Sequence, residues 1–455
     1  MLEPSPTDEV DDLVLLGRHP NPQRLRKLLH TAVDTALDHL EGAETPSSSA
    51  RPLLPHTPPT PEEALESFGR EWLGQAVWYH HPRYLAHLNC PVSALGVAAD
   101  IMATIANTAV ESFDQAGVAA EAEVNVLRTL GQLVGWNDAS GTFTSGGSQS
   151  NLQALAIVRQ ASPRKDILIT ANTHYSVSRA AALFGLRTHL VPTDAFGRMD
   201  PQAARELIAT LEDSPAAIIA TAGTTDRGSI DDLEALADLA EDHRAHLHVD
   251  AAYGGALLCN AETSGALRGI ERAASVTLDM HKGFFQPVPC SALVVPDPQT
   301  LAAIRINASY LNPAESERPN LADNSLQTTR RFDAAKIFLS LSTYGAEAIG
   351  SAFARCMSHA GAIAEAIERH PTLELYETPQ LSTVIFRPRG VSSDELEQLK
   401  MSLFDAGDAV VATTTVAEER WLKFTILDPY LTLDEVSPVL DRIAALANTK
   451  ELSYL

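Results

Sequence analysis

From about residue 135 to residue 297, short β-rich apolar runs alternate with stretches whose apolar residues recur at helical spacing. The runs are DILITAN (166–172), THLVPTD (188–194), AAIIATAG (216–223), HLHVD (246–250), SVTLDM (275–280) and SALVVPD (291–297). Each is short, aliphatic or β-branched and bounded by turn formers, so each is predicted as a strand. Between them SRAAALFGL and SIDDLEALADLAEDHR have the period of amphipathic helices. Strands joined through helices cross over rather than fold back as hairpins, which gives a largely parallel sheet with helices packed on it. The pattern therefore predicts an α/β domain whose ligands sit beyond the carboxyl ends of the strands.

The flanks read differently. Leu25, Leu28, Leu29, Val33, Leu37 and Leu40 predict a helix over 22–41, and TPSSSARPLLPHTPPTPEE (45–63) then cannot continue it, so it is a linker or an extended arm. After about residue 345 a long helical stretch, AEAIGSAFARCMSHAGAIAEAIERH, precedes STVIFRP and WLKFTIL, which predicts a smaller α+β unit. The expected division is an N-terminal helical segment and Pro-rich arm over 1–75, a large domain over 76–345 and a small C-terminal domain over 346–455.

Composition changes this picture little. With 455 residues, 45% hydrophobic and 20% charged, the chain is long enough to bury a sizeable core. Its formal charge of −24 disfavours nucleic acid and anionic membranes as partners. Cys90, Cys259, Cys290 and Cys356 form no CxxC pair and no metal-ligand spacing, which predicts reduced thiols and no metal site. The N-terminal MLEPSPTDEVDDLVLL is acidic where a secretory leader would be basic, and no apolar run approaches the ~18 residues of a membrane span, so the expected location is the cytoplasm.

The chemistry collects at strand ends. In GTFTSGGSQSNLQALAIVRQ (141–160), Gly146 and Gly147 lead through Ser148 into a helix, where glycine admits close backbone approach and free N–H groups bind phosphate. His174 stands between a strand and a helix, Thr224 and Thr225 follow another strand, and Asp250 ends the apolar run HLHVD. Lys282 lies one strand further on, in TLDMHKGFFQPVPC, where an amine in apolar surroundings suits nucleophilic work. Each signal alone fits an ordinary turn or surface residue. Together they place a phosphate cradle, an imidazole, hydroxyls, a carboxylate and an amine at the strand ends of one sheet, which is what pyridoxal phosphate requires.

At TSGGSQSNLQAL, THYSV, TAGTTDRGSID, HVDAAYGG, DMHKGFFQP and QTTRRFD the sequence resembles the group II pyridoxal-phosphate decarboxylases, in the family's order, from about residue 70 to the end. The resemblance implies the aspartate-aminotransferase-like fold (fold type I), with a mainly parallel seven-stranded sheet and a small α+β C-terminal domain. It also implies a homodimer with active sites at the interface, the N-terminal helix and arm wrapping the partner. Carried over by position, Lys282 binds the cofactor covalently, Asp250 faces the pyridine nitrogen and His174 stacks on the ring. Gly147 and Ser148 hold the phosphate, Thr225 lies near the ring oxygen, Ala252 packs on the other ring face and His281 contacts the phosphate region. His174, Asp250 and Lys282 are the expected catalytic residues.

Within the family YHHPRYLAHLNCP, HKGFFQPV, SYLNP with QTTRRFDAAK, and GDAVVATTTV with WLKFTILDP are most similar to siderophore-pathway lysine decarboxylases, and diaminobutyrate decarboxylases share several of them. The expected reaction is thus decarboxylation of a basic L-amino acid to a diamine. L-lysine is placed first, with L-2,4-diaminobutyrate or L-ornithine as alternatives. One departure stands out. Aromatic-amino-acid decarboxylases carry a loop tyrosine about nine residues before RRF that returns a proton after CO₂ leaves. Here that count reaches Leu321, with no tyrosine between Tyr310 and the RRF segment. His174, Tyr310 or water then becomes the proton source, or decarboxylation is coupled to oxidative deamination and yields an aldehyde. Transamination would need an arginine dedicated to a second carboxylate, and a bare phosphate-binding module would leave Lys282 without a role.

Overall fold

In the computed structural model, residues 77–306 and 320–448 are described, together with positions 22, 23 and 30. Apart from those three positions, the predicted 22–41 helix and the 45–63 arm lie outside the described residues, as does Tyr310. The chain enters through α1 (Ala94–Ala106), capped by the Ser93 hydroxyl and stopped at Asn107 in the left-handed region (φ 50°). It continues through α2 (Val118–Val134), which ends at Gly135 (φ 104°), a conformation that favours glycine. Then β1 (Ser140–Thr144), α3 (Gly147–Ala161), β2 (Asp166–Ile169), α4 (Tyr175–Phe184), β3 (Arg187–Leu190) and α5 (Pro201–Ile208) alternate. β4 (Ala217–Thr221), α6 (Leu233–His243), β5 (His246–Asp250), β6 (Ser275–Asp279) and β7 (Ser291–Val295) complete the first sheet.

The six predicted strands are all present, most of them shorter than their apolar runs because the last residues turn toward the following helix. The sheet order is β1-β7-β6-β5-β4-β2-β3. β3, β2, β4, β5 and β6 run parallel, while β7 is antiparallel to both β6 and β1. β1 did not register as a strand in the sequence because SGTFT is short and polar. Its Gly141 is needed where it stands: a Cβ there would lie 2.2 Å from the Leu293 carbonyl of β7. Central strands β4 to β7 are buried along nearly their whole length; β4 and β7 carry apolar residues on both faces, whereas β5 (HLHVD) and β6 (SVTLD) alternate aliphatic residues with buried polar ones.

A long helix, α7 (Ala334–Arg369), is broken at Gly345 (φ 77°, ψ 169°). Beyond it, β8 (Leu373–Leu375), β9 (Thr383–Pro388), α8 (Ser393–Asp405), β10 (Ala412–Val416), β11 (Glu419–Thr425) and α9 (Leu433–Asn448) build a four-stranded antiparallel sheet in the order β10-β11-β9-β8. α8 starts with a capping box between Ser392 and Glu395. Two apolar clusters are the largest among the described residues. One joins α2, the large sheet and the first half of α7; the other joins the second half of α7, α8, α9 and the small sheet. Among the described residues no helix is long and apolar enough to cross a membrane.

Candidate active site

Parallel strands that end at one level deliver their terminal side chains to one place. Thr221, Asp250 and Thr277 are register neighbours across β4, β5 and β6. The segments that follow β1, β2, β4, β5 and β6 line a cavity of about 200 Å³. All eight sequence-predicted residues border it: Gly147, Ser148, His174, Thr225, Asp250, Ala252, His281 and Lys282. Asn151, Tyr175, Tyr253 and Asp279 complete much of the wall.

Lys282 Nζ lies 3.0 Å from Asp279 Oδ2, and His281 Nε2 lies 3.6 Å from the same oxygen. Burial pushes the Asp279 carboxyl up, but the Lys282 and His281 charges outweigh it and hold the group below the usual carboxylate range. Asp279 Oδ1 is buried and has no hydrogen-bond partner among the described residues. His281 is oriented from behind, its Nδ1–H donating to the Cys290 carbonyl at 2.8 Å.

Asp250 is itself buried at the end of β5. Its Oδ1 accepts from the Ala252 N–H (3.1 Å) and its Oδ2 from Asn151 Nδ2 (2.7 Å). His174 caps α4, its Nδ1 accepting from the Ser176 N–H (3.4 Å) and lying 2.8 Å from Ser176 Oγ. Burial lowers the His174 pKa; Asp250 opposes the shift and Lys282 adds to it. Thr225 contributes from an exposed turn, and its carbonyl accepts from Lys423 Nζ (3.1 Å) on β11. Burial also lowers the Lys423 pKa. Thr224 has a turn-forming role, its hydroxyl accepting from the Ser229 N–H.

The start of α3 is shaped for close approach. Gly146 precedes it with no side-chain cap, so the helix's first N–H groups are not covered from that position. A Cβ on Gly147 would fall 3.1 Å from both Asp279 oxygens and 3.2 Å from the Ala252 methyl. An uncapped helix start, an amine, a fixed carboxylate and an imidazole around one cavity fit the donor set that pyridoxal phosphate needs.

Sequence reasoning missed Asn151, Asp279 and Lys423. Asn151 follows Gly147 by one helical turn and so shares its face, while Asp279 precedes Lys282 by three residues. Those spacings were readable. Lys423 had no local signal, because its contact to Thr225 spans 198 residues.

Comparison with known proteins follows the same line. The pyridoxal-dependent decarboxylase conserved domain matches residues 51–389. The L-2,4-diaminobutyrate decarboxylase of Rhizobium meliloti (strain 1021) is 37% identical, over 98% of this chain and 96% of that one. The enzyme of the same name from Acinetobacter baumannii is 32% identical over 84% and 83% of the two chains. Among solved structures, the glutamate decarboxylase domain of the diaminobutyrate-pyruvate transaminase and L-2,4-diaminobutyrate decarboxylase from Vibrio parahaemolyticus superposes with a TM-score of 0.78. It is 29% identical, and the match covers 97% of this chain and 99% of that one.

Proposed function

The chain belongs to the pyridoxal-dependent decarboxylase family, and from that premise we propose that it converts L-2,4-diaminobutyrate to propane-1,3-diamine and CO₂. It is a pyridoxal-phosphate-dependent carboxy-lyase acting on an amino acid. The expectation that placed L-lysine first is not supported: the two relatives at 37% and 32% identity are both named for diaminobutyrate. Family resemblance in motif wording had not separated the two substrates.

One observation carries the chemical reading: Lys282, Asp250 and His174 converge on one cavity beside an uncapped helix start. Lys282 would hold the cofactor through its amine, with Gly147, Ser148 and His281 on the phosphate side. His174 and Ala252 would flank the ring, Asp250 would hold its nitrogen and Thr225 would lie near its ring oxygen. When bound, the cofactor supplies an electron sink for the bond to the departing carboxylate. Asp250 contributes a negative charge whose two oxygens are fixed by donated hydrogen bonds, so no reorganisation is needed when charge moves. Nδ1 of His174 is an acceptor, which leaves its proton on Nε2 as a donor for the substrate. The proton that replaces CO₂ is assigned to His174 or water. Leu321, where the loop tyrosine of aromatic-amino-acid decarboxylases is counted, is buried in an apolar cluster with Val110 and Ala120.

A homodimer with the cavity at its interface belongs to the same reading. It is supported by Tyr175, which borders the cavity yet is 60% exposed in the single chain. A cytoplasmic location accords with four buried, unpaired cysteines.

The test incubates the cofactor-loaded protein with equimolar lysine, ornithine, diaminobutyrate, glutamate and phenylalanine, and identifies products by mass spectrometry. Propane-1,3-diamine should dominate and Lys282→Ala should make none. Cadaverine as the main product would restore lysine. An aldehyde with ammonia and hydrogen peroxide, in place of amine, would establish the oxidative alternative that buried Leu321 leaves open.

A further inference from the structure

Two histidines that do not line the cavity precede Asp250 on β5. His246 and His248 sit on β5 at alternate positions, and Ser275 on β6 is the register partner of His248. Ser275 Oγ is 2.8 Å from His248 Nδ1 and 2.7 Å from His246 Nε2. His248 Nε2 is 3.0 Å from Asn151 Oδ1, which also accepts from the Thr277 hydroxyl at 2.9 Å. The amide nitrogen of Asn151 then donates to Asp250 Oδ2 at 2.7 Å and to Ser176 Oγ at 3.0 Å. Asn151, His248 and Ser275 are completely buried, so water does not substitute for these three, while His246 at the start of β5 is only partly buried.

The direction of every hydrogen follows from the last acceptor. A carboxylate only accepts, so the Asn151 nitrogen faces Asp250 and its oxygen faces His248. A bare imidazole nitrogen would repel that oxygen at 3.0 Å, which puts the His248 proton on Nε2. Burial holds both histidines neutral, with pKa values lowered to about 4 for His248 and about 3 for His246. Nδ1 of His248 is therefore an acceptor for the Ser275 hydroxyl, and Ser275 Oγ accepts from His246 Nε2–H. All four bonds point one way, from His246 toward Asp250, an arrangement in which each bond polarises the next. The second Asn151 hydrogen goes to Ser176, whose hydroxyl is left to donate to His174 Nδ1.

We infer that Asn151 is a positioning residue that fixes the hydrogen-bonding states of Asp250 and His174 together, driven from behind by the Ser275–His248 pair. One amide group thus locks both residues proposed to flank the cofactor ring, and the inference rests on those proposed roles. A substitution at Ser275, remote from the cavity wall, should reach the cofactor through this route. The charged groups near His174 are Asp250, Lys282, Asp279 and Asp226.

The experiment uses the holoenzyme with Ser275→Ala and Ser275→Thr. The bound cofactor's absorbance is titrated against pH, and kcat and KM are measured separately. Ser275→Ala should shift the midpoint of the absorbance change and lower kcat about fivefold, the effect of one buried neutral hydrogen bond, with KM unchanged. Ser275→Thr keeps the hydroxyl and should restore both. In the cofactor-free protein labelled with ¹⁵N-histidine, NMR should place the His248 proton on Nε2 in the wild type and in Ser275→Thr, and a wild-type proton on Nδ1 would overturn the relay. A folded Ser275→Ala protein with the wild-type absorbance profile and kcat would overturn the inference. If Ser275→Ala does not fold, His248→Gln and His248→Leu replace it. Gln retains a donor for Asn151 and should stay near the wild-type midpoint while Leu departs from it; identical behaviour of the two would defeat the relay. Borohydride fixation of the cofactor on Lys282 separates the two readings. Without fixation the proposed function fails and takes the inference with it; fixation with an unshifted Ser275→Ala profile defeats the inference alone.

Discussion

Replacing Glu123 with Ala should destabilise the protein far more than an ordinary surface change. Glu123 on α2 is completely buried, and the Arg330 side chain that meets it is 4% exposed. Arg330 donates to Glu123 Oε1 at 2.6 Å, to Oε2 at 3.4 Å and to the Phe143 carbonyl of β1 at 3.2 Å. After Glu123→Ala only the Phe143 carbonyl remains, and a guanidinium is left in a dry site. Removing one partner of such a pair costs about 3–5 kcal/mol. The loss should also reach the cavity, because Arg330 braces β1, which leads directly into the Gly146–Gly147 turn. Replacing both partners by apolar residues, Glu123→Leu with Arg330→Met, removes the orphan charge and should return stability to within about 1 kcal/mol of wild type. Urea unfolding of the cofactor-free protein, followed by fluorescence and circular dichroism together, measures all three. A Glu123→Ala protein within about 1 kcal/mol of wild type would show that the pair is not desolvated. A double variant as unstable as the single one would assign the cost to lost packing instead of an unpaired charge.

Two further predictions concern the cavity and pH. Gly147→Ala places a methyl 3.1 Å from both Asp279 oxygens and 3.2 Å from the Ala252 methyl, tighter than normal contact. It should weaken cofactor binding about tenfold, roughly 1.4 kcal/mol; unchanged affinity in a fluorescence titration would mean that this helix start is not the phosphate cradle. His246 and His248 are kept neutral when folded, with pKa values lowered to about 3 and about 4, and titrate near 6.5 when unfolded. Their contribution to stability is therefore present above about pH 6.5 and is lost as pH falls through that range toward 4 and 3. Asp231, raised to about 6 by burial, works in the opposite sense, favouring the folded state as pH falls through 6. The two trends partly cancel, so the informative quantity is a difference: His248→Gln should reduce acid sensitivity between pH 6.5 and 4 by about one proton, and an unchanged slope would contradict a neutral His248.

Local sequence carried much of the architecture because strands and helices announce themselves over windows of a few residues. AAIIATAG is a nearly continuous apolar run and HLHVD sets Leu and Val between polar residues, and each became a strand with its last polar side chain at the cavity. The eight cavity residues were readable for the same reason, each standing just beyond a predicted strand or at a helix start. Among the strands, those that escaped were weakly patterned: β1 is polar with a glycine, β8 is three residues long, and β10 (ATTTV) alternates with only partial burial.

What the chain alone determined, then, was which side chains stand at strand ends and which chemistry they suit. The tertiary structure decided which of them meet. Asn151 reaches Asp250 across 99 residues and His248 across 97, and Lys423 reaches Thr225 across 198. No periodicity encodes such pairings, because they depend on the order in which β4, β5 and β6 lie side by side and on where α3 begins above them. A hydrogen bond is made or lost within a few tenths of an ångström, and only the packed sheet fixes positions that closely.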